Sequence, residues 1–169
     1  LAELGAEARQ AADAGLGVAV HAIGDAGIRA ALEAARLTRS TTTSRAPARF
    51  RIEHAQIVDP ADIPRFRELG VVVSMQPTHA TSDMPWAEER VGPERIRGGY
   101  AWRSFLEAGV PLAFGSDFPI ESPDPRLGLY AAVTRQDRAG MPPGGWYPGQ
   151  RLTLAEALAA FSTGAAFAA

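Results

Sequence analysis

The chain has 169 residues, of which 46% are hydrophobic and 21% charged, and its formal net charge is −2 at pH 7. That composition suits one globular unit with a real core, and no basic stretch points to nucleic acid or a membrane surface. The absence of cysteine excludes a disulfide framework, a thiolate metal site and a cysteine nucleophile.

All 17 basic residues are arginine, so no lysine can act as a Schiff-base nucleophile, a phosphate anchor or a carbamylated metal bridge. The apolar stretches fall well short of the ~18 residues of a membrane span, and no signal-peptide pattern opens the chain. A cytoplasmic location is the corresponding expectation.

Leu1 to Ala14 carries apolar residues at helical spacing and is stopped by Gly15. Gly17 to Val20 reads as a buried strand ending at His21. Asp25 suits an N-cap for a helix from Ala26 to about Leu37. The polar tract from Thr38 to Pro47 reads as a loop. Phe50 to Glu53 forms a second strand ending at His54, and Asp59-Pro60 opens a helix that Gly70 closes. Val71 to Met75, a continuous apolar run, reads as a third strand covered on both faces.

An irregular segment is expected from Gln76 to about Gly98, then a helix from Tyr100 to Ala108. A fourth strand, Pro111 to Phe114, leads into Gly115-Ser116-Asp117. A helix from about Pro125 to Arg138 and a Pro/Gly loop over Met141 to Gln150 follow. The last helix starts at Thr153 with Glu156 three residues on, a capping box. Strict alternation of strand and helix means a parallel sheet with helices outside it. It is either half of a (β/α)8 barrel or a small doubly wound sheet. Polar residues punctuate the strands at the same end, which favours the half barrel.

His54 follows His21 by 33 residues, and Asp117 follows His54 by 63. A barrel of about 250 residues spends roughly 31 on each strand-plus-helix unit, so the gaps approximate one unit and two. His21, His54 and Asp117 would then meet over the barrel mouth as a metal site, with Asp117 also able to take a proton from water. Neighbouring strand residues face opposite sides, so Glu53 and His54 are not both expected inside, and Glu53 would pair with Arg51 or Arg49. Asp25 could orient a ligand histidine. His79 and Gln76, just past the third strand, are candidates for substrate contact, with Asp83 and Trp86 available to line the same pocket.

The ordered strings V-H-A-I-G-D, R-I-E-H-A-Q, S-M-Q-P-T-H, R-S-F-L-E-A-G-V-P-L-A-F-G-S-D-F-P and L-T-L-A-E-A-L-A-A-F-S-T cover most of the chain. In that order they resemble the metal-dependent amidohydrolase superfamily, in its amidohydrolase-3 (YtcJ-like) branch. The resemblance implies that His21, His54 and Asp117 end barrel strands five, six and eight. Residues 1–169 would then form the C-terminal half of the catalytic barrel, an α/β fold of about four strand–helix units. It implies a divalent metal, zinc first, and hydrolysis of non-peptide carbon–nitrogen bonds in small amide, formamide or N-acyl compounds. The family's first-strand His-x-His pair, its bridging carboxylate or lysine and its β-sandwich have no counterpart here, so the chain alone is expected to be inactive.

Two other readings compete. Another metal-dependent barrel hydrolase is possible, although F-P-I-E-S-P-D-P-R after Asp117 lacks the glycine pair that a phosphate site would want. Alternatively, the half barrel is a structural fragment that only self-associates. Four parallel strands leave open edges, so a homo-oligomer is expected either way. Light scattering at micromolar concentration checks this, and a clean monomer would count against it.

Overall fold

The computed structural model of the protein describes residues 2–41 and 49–169. Helix α1 (Ala2–Asp13) precedes strand β1 (Val18–Ala22), α2 (Asp25–Thr41) and β2 (Phe50–His54). A 3-10 turn, Pro60–Asp62, leads into α3 (Ile63–Leu69), and β3 (Val72–Met75) follows. Then come α4 (Pro77–Asp83), α5 (Ala87–Arg95), α6 (Trp102–Glu107), β4 (Leu112–Phe114) and α7 (Pro125–Thr134). The chain closes with α8 (Leu154–Ala159), a π turn over Ala160–Gly164 and α9 (Ala165–Ala168).

The four strands are parallel and lie in simple chain order, β1-β2-β3-β4. A doubly wound sheet reverses its strand order at a switch point, whereas a barrel adds each strand beside the last. The sequential order is therefore that of a barrel segment, as the strand-end punctuation suggested.

One face of the sheet carries Phe50, Ile52, Val73, Met75, Leu112 and Phe114, packed with Ile28, Leu32, Phe66 and Phe105 of the helices in the main core. In-register neighbours on the other face are Ala19 beside Arg51 and His21 beside Glu53. Arg51 donates to the Glu53 carboxylate, the pairing expected for that glutamate. The inner face is thus polar towards the β1 edge and small towards the other, where Val72 and Ala113 pack on Ala168 of α9.

Local signals explain several boundaries. The Asp59 carboxylate accepts from the Ala61 amide with Pro60 in the first turn, and Gly70 closes α3 with φ 63. The Thr153–Glu156 capping box is present. Arg103 also pairs with Glu156, and its hydrogen bonds hold the carboxyl down to about 2. Other boundaries differ from expectation. Helix α2 continues to Thr41, because the buried Thr38 hydroxyl donates to the Ala34 carbonyl at 2.9 Å instead of opening the helix. The remainder of that polar tract, residues 42–48, and Leu1 lie outside the described residues. Helix α6 starts only at Trp102 because Tyr100 has φ 49, and α7 ends at Thr134 because Arg135 has φ 54. Among the described residues no helix is long and apolar enough to cross a membrane.

Candidate metal centre

Three strand ends and one helix start converge on the mouth of the half barrel. His54 ends β2 with φ 75 and Ala55 follows at φ 44, a left-handed pair that non-glycine residues seldom adopt. Strict alternation would send His54 to the helix side with Phe50 and Ile52. The left-handed turn instead brings its ring to the inner mouth, 4.6 Å from the His21 ring, edge to face. Glu53 and His54 therefore both serve the inside, contrary to the expectation from alternation. The Ala55 amide, donating to Ala22 at 2.9 Å, ties the turn to the end of β1.

Asp117 lies three residues past β4 and is also left-handed, with φ 54. Its carbonyl accepts from Ile120 at 2.8 Å, closing a turn. The side chain is 40% exposed. Strain at two polar residues of one cluster is the kind that persists where surroundings enforce it, which points to function.

His79 arrives by a route that was not legible as helix. The segment from Gln76 to Gly98 is not irregular: α4 begins directly after β3 with Pro77 in its first turn. That turn carries His79 back over the strand ends instead of away from them. A proline two residues beyond a strand end is a helix-start signal and could have found it. The His79 ring is buried and lies 5.9 Å from the His54 ring, stacked at 20°. Its Nε2 is buried without a hydrogen-bond partner and sits 4.0 Å from Asp117 Oδ2.

His54, His79 and Asp117 each offer one ligand atom within 4.8 Å of the others, a spacing that fits a single cation. His21, exposed on the edge strand, lies outside that group but touches it through His54. Imidazole nitrogens with one carboxylate suit zinc and other divalent first-row ions. The unpartnered His79 nitrogen and the strained His54 and Asp117 backbones agree with a site built for a ligand.

The surroundings sort the remaining candidates. Gln76 is 6% exposed and its Oε1 lies 2.9 Å from His54 Nδ1, while Gln56 Nε2 lies 3.2 Å from His79 Nδ1. Gln56 was not singled out from the sequence, since a glutamine two residues past a histidine carries no signal by itself. Asp25 gives its two carboxylate oxygens to Arg95, at 2.7 and 2.8 Å, and those bonds hold its carboxyl below the usual range. That carboxylate braces α2 against α5 instead of meeting a histidine. Burial pulls the His79 imidazole down, opposed by Glu121, Asp117 and Asp83. Burial pushes the Asp83 carboxyl up although Tyr100 donates a hydrogen bond to it. Trp86 is 46% exposed. A cleft of about 470 Å³ opens between Thr78 and Ser82 of α4 and Leu127 and Tyr130 of α7, with Glu121 at its side; its lining includes none of His54, His79 and Asp117.

The chain matches the amidohydrolase family over residues 2–169. It is 32% identical over 163 residues to YtcJ of Bacillus subtilis (strain 168), covering 96% of this chain and 30% of that protein. To the N-substituted formamide deformylase of Arthrobacter pascens it is 29% identical over 164 residues, covering 94% of this chain and 29% of the other. An uncharacterized metal-dependent hydrolase from Pyrococcus horikoshii OT3 superposes with a TM-score of 0.84 at 34% identity, over 98% of this chain and 32% of its own. The chain thus spans about a third of the length of the proteins it resembles.

Proposed function

The chain belongs to the amidohydrolase family, and on that premise we propose that it supplies the second half of a divalent-metal site for hydrolysing non-peptide carbon–nitrogen bonds. The observation that carries this reading is the meeting of His54, His79 and Asp117 within 4.8 Å, with the His21 ring packed on His54. The relation to a formamide deformylase favours small amide, formamide or N-acyl substrates. The cleft of about 470 Å³ between α4 and α7, which starts at Thr78 next to His79, is of a size for a small molecule.

A divalent ion, zinc first, would be held by His54 and Asp117 of that group with His21 joining from beside the His54 ring, and would supply polarisation of a carbonyl and a more acidic water. Asp117, 40% exposed and free of an arginine partner among the described residues, accepts the proton from water and returns it to the leaving nitrogen. Gln76 and His79 orient the substrate-facing side of the cluster. The buried walls of β3 and α4 keep bulk water off one side of it.

Metal content tests this. The purified chain, incubated with zinc and desalted, is expected to retain the ion, and Asp117→Asn to bind it at least about tenfold more weakly, since a carboxylate donor is lost. Hydrolysis of a formamide or N-acyl substrate by the chain alone is expected to be no faster than by Asp117→Asn. Equal zinc binding by the two proteins would sink the proposal.

A further inference from the structure

Two glutamines touch the two buried histidines in a crossed arrangement. Gln76, at the end of β3, reaches back to His54, and Gln56, two residues past His54, reaches forward to His79. Each histidine stretch therefore carries the amide that contacts the other's ring. The contacting atoms differ: at His54 the ring Nδ1 faces an amide oxygen at 2.9 Å, and at His79 it faces an amide nitrogen at 3.2 Å.

We propose that Gln76 and Gln56 set opposite tautomers on these rings, so that His54 offers a bare Nε2 lone pair to a cation and His79 offers an Nε2–H to an oxygen of the substrate. The assignment of roles rests on the metal-hydrolase reading above; the tautomers themselves do not. An amide oxygen only accepts, so His54 Nδ1 must carry the proton and its Nε2 is left unprotonated. That is the form in which a histidine binds a metal, with its second nitrogen fixed by a hydrogen bond. An amide nitrogen only donates, so His79 Nδ1 must accept and the proton sits on Nε2.

The surroundings of His79 Nε2 fit a donor awaiting an acceptor. The atom is buried with no hydrogen-bond partner, and the Asp117 oxygen at 4.0 Å is beyond hydrogen-bond reach. A substrate carbonyl oxygen, which gains negative charge when water adds to its carbon, would complete it. Of the three atoms that meet at ligand spacing, one is then an N–H and cannot bind a cation while it keeps that proton. Gln76 and Gln56 are positioning residues in this scheme, acting only through the histidines.

The test is the ring nitrogen spectrum of the 15N-labelled chain at a pH where its three histidines are neutral, without metal. The expected result is Nδ1–H for His54 and Nε2–H for His79. Gln56→Glu, which replaces the donor by an acceptor of the same shape, is expected to convert His79 to Nδ1–H and to tighten zinc binding. Gln76→Glu preserves the acceptor, and the His54 tautomer should not change. Gln76→Leu should weaken zinc binding by about 10–100-fold, the usual cost of losing such a partner. The same tautomer on both rings, or an unchanged His79 in Gln56→Glu, would overturn the proposal. Because the spectrum is read without metal, failure to bind zinc at all would strike the functional reading and leave the tautomers standing.

Discussion

Gly98→Ala is expected to cost about 3 kcal/mol or more of folding stability, the size seen when a backbone has no room for a side chain. A Cβ at Gly98 would lie 1.7 Å from the Val58 carbonyl oxygen and 2.8 Å from its carbon. Both obstacles are backbone, so no side-chain rotation can relieve the clash. The Val58 amide donates to the Gly98 carbonyl at 3.0 Å, and Tyr100 donates to the Gln56 carbonyl at 2.7 Å. Moving residue 98 away breaks the first bond and strains the second, leaving polar groups unpaired. This seam also holds the segment bearing Gln56 against the turn before Tyr100, so the damage reaches the candidate metal centre. Gly24→Ala is the control, because a Cβ there meets nothing within 4 Å. Urea unfolding of the two variants checks this: Gly24→Ala should stay within about 0.5 kcal/mol of the parent, the usual range for an uncrowded surface change. A Gly98→Ala curve overlying the parent's would refute the argument.

Much of the barrel segment is written in the chain because β3 and β4 read as buried apolar runs, β1 and β2 alternate between a buried and a more open face, and a polar residue closes or follows each strand. His21, His54 and Asp117 were visible for that reason. What was not visible depends on backbone conformation or long-range contact. The left-handed turn at His54 defeats the alternation rule, and nothing local marks it, since histidine has no need of that conformation. The segment from 76 to 98 looked irregular because its helices are short, and α5 is broken by Gly92 at φ 82 and Pro93, which leaves no apolar period to count. The preference of threonine for caps and turns favours a loop at Thr38, whereas burial and its bond to Ala34 keep it helical. Asp25 had the spacing to brace a histidine, but Arg95, 70 positions away in the chain, takes both its oxygens. His79 was set down as a substrate contact because of its distance past β3. The tautomer proposed for His79 would give that role an atom, Nε2–H.

Arg135 is the most deeply buried charged residue among the described residues, and its removal should be among the most damaging single changes. It is 1% exposed, with the guanidinium over the Trp102 ring at 4.6 Å and the Trp146 ring at 5.3 Å. It donates from Nη1 to the Tyr100 carbonyl at 2.9 Å and from Nε to the Trp146 carbonyl at 2.5 Å, while Nη2 has no partner. No ion pair of Arg135 is found among the described residues. Burial pulls the guanidinium down to about 10, so it stays charged at neutral pH. Two indole faces and two carbonyls replace the missing carboxylate. The left-handed residues Tyr100 and Arg135 are joined by this side chain, and Tyr100 in turn holds Asp83, on the helix that carries His79. Arg135→Ala leaves a cavity between two tryptophans and an unpaired Trp146 carbonyl, while the Tyr100 carbonyl keeps its bond from the Trp102 amide, and about 3–5 kcal/mol of stability should be lost. Arg135→Met fills most of the space but donates nothing, so it isolates the hydrogen bonds and should cost about 1–3 kcal/mol. The order parent, Met, Ala in urea midpoint is the expected result. A methionine variant at least as stable as the parent would mean that desolvating the charge outweighs everything the cage returns. Arg135 would then be there for the corner it holds beside the site, and not for the stability of the fold.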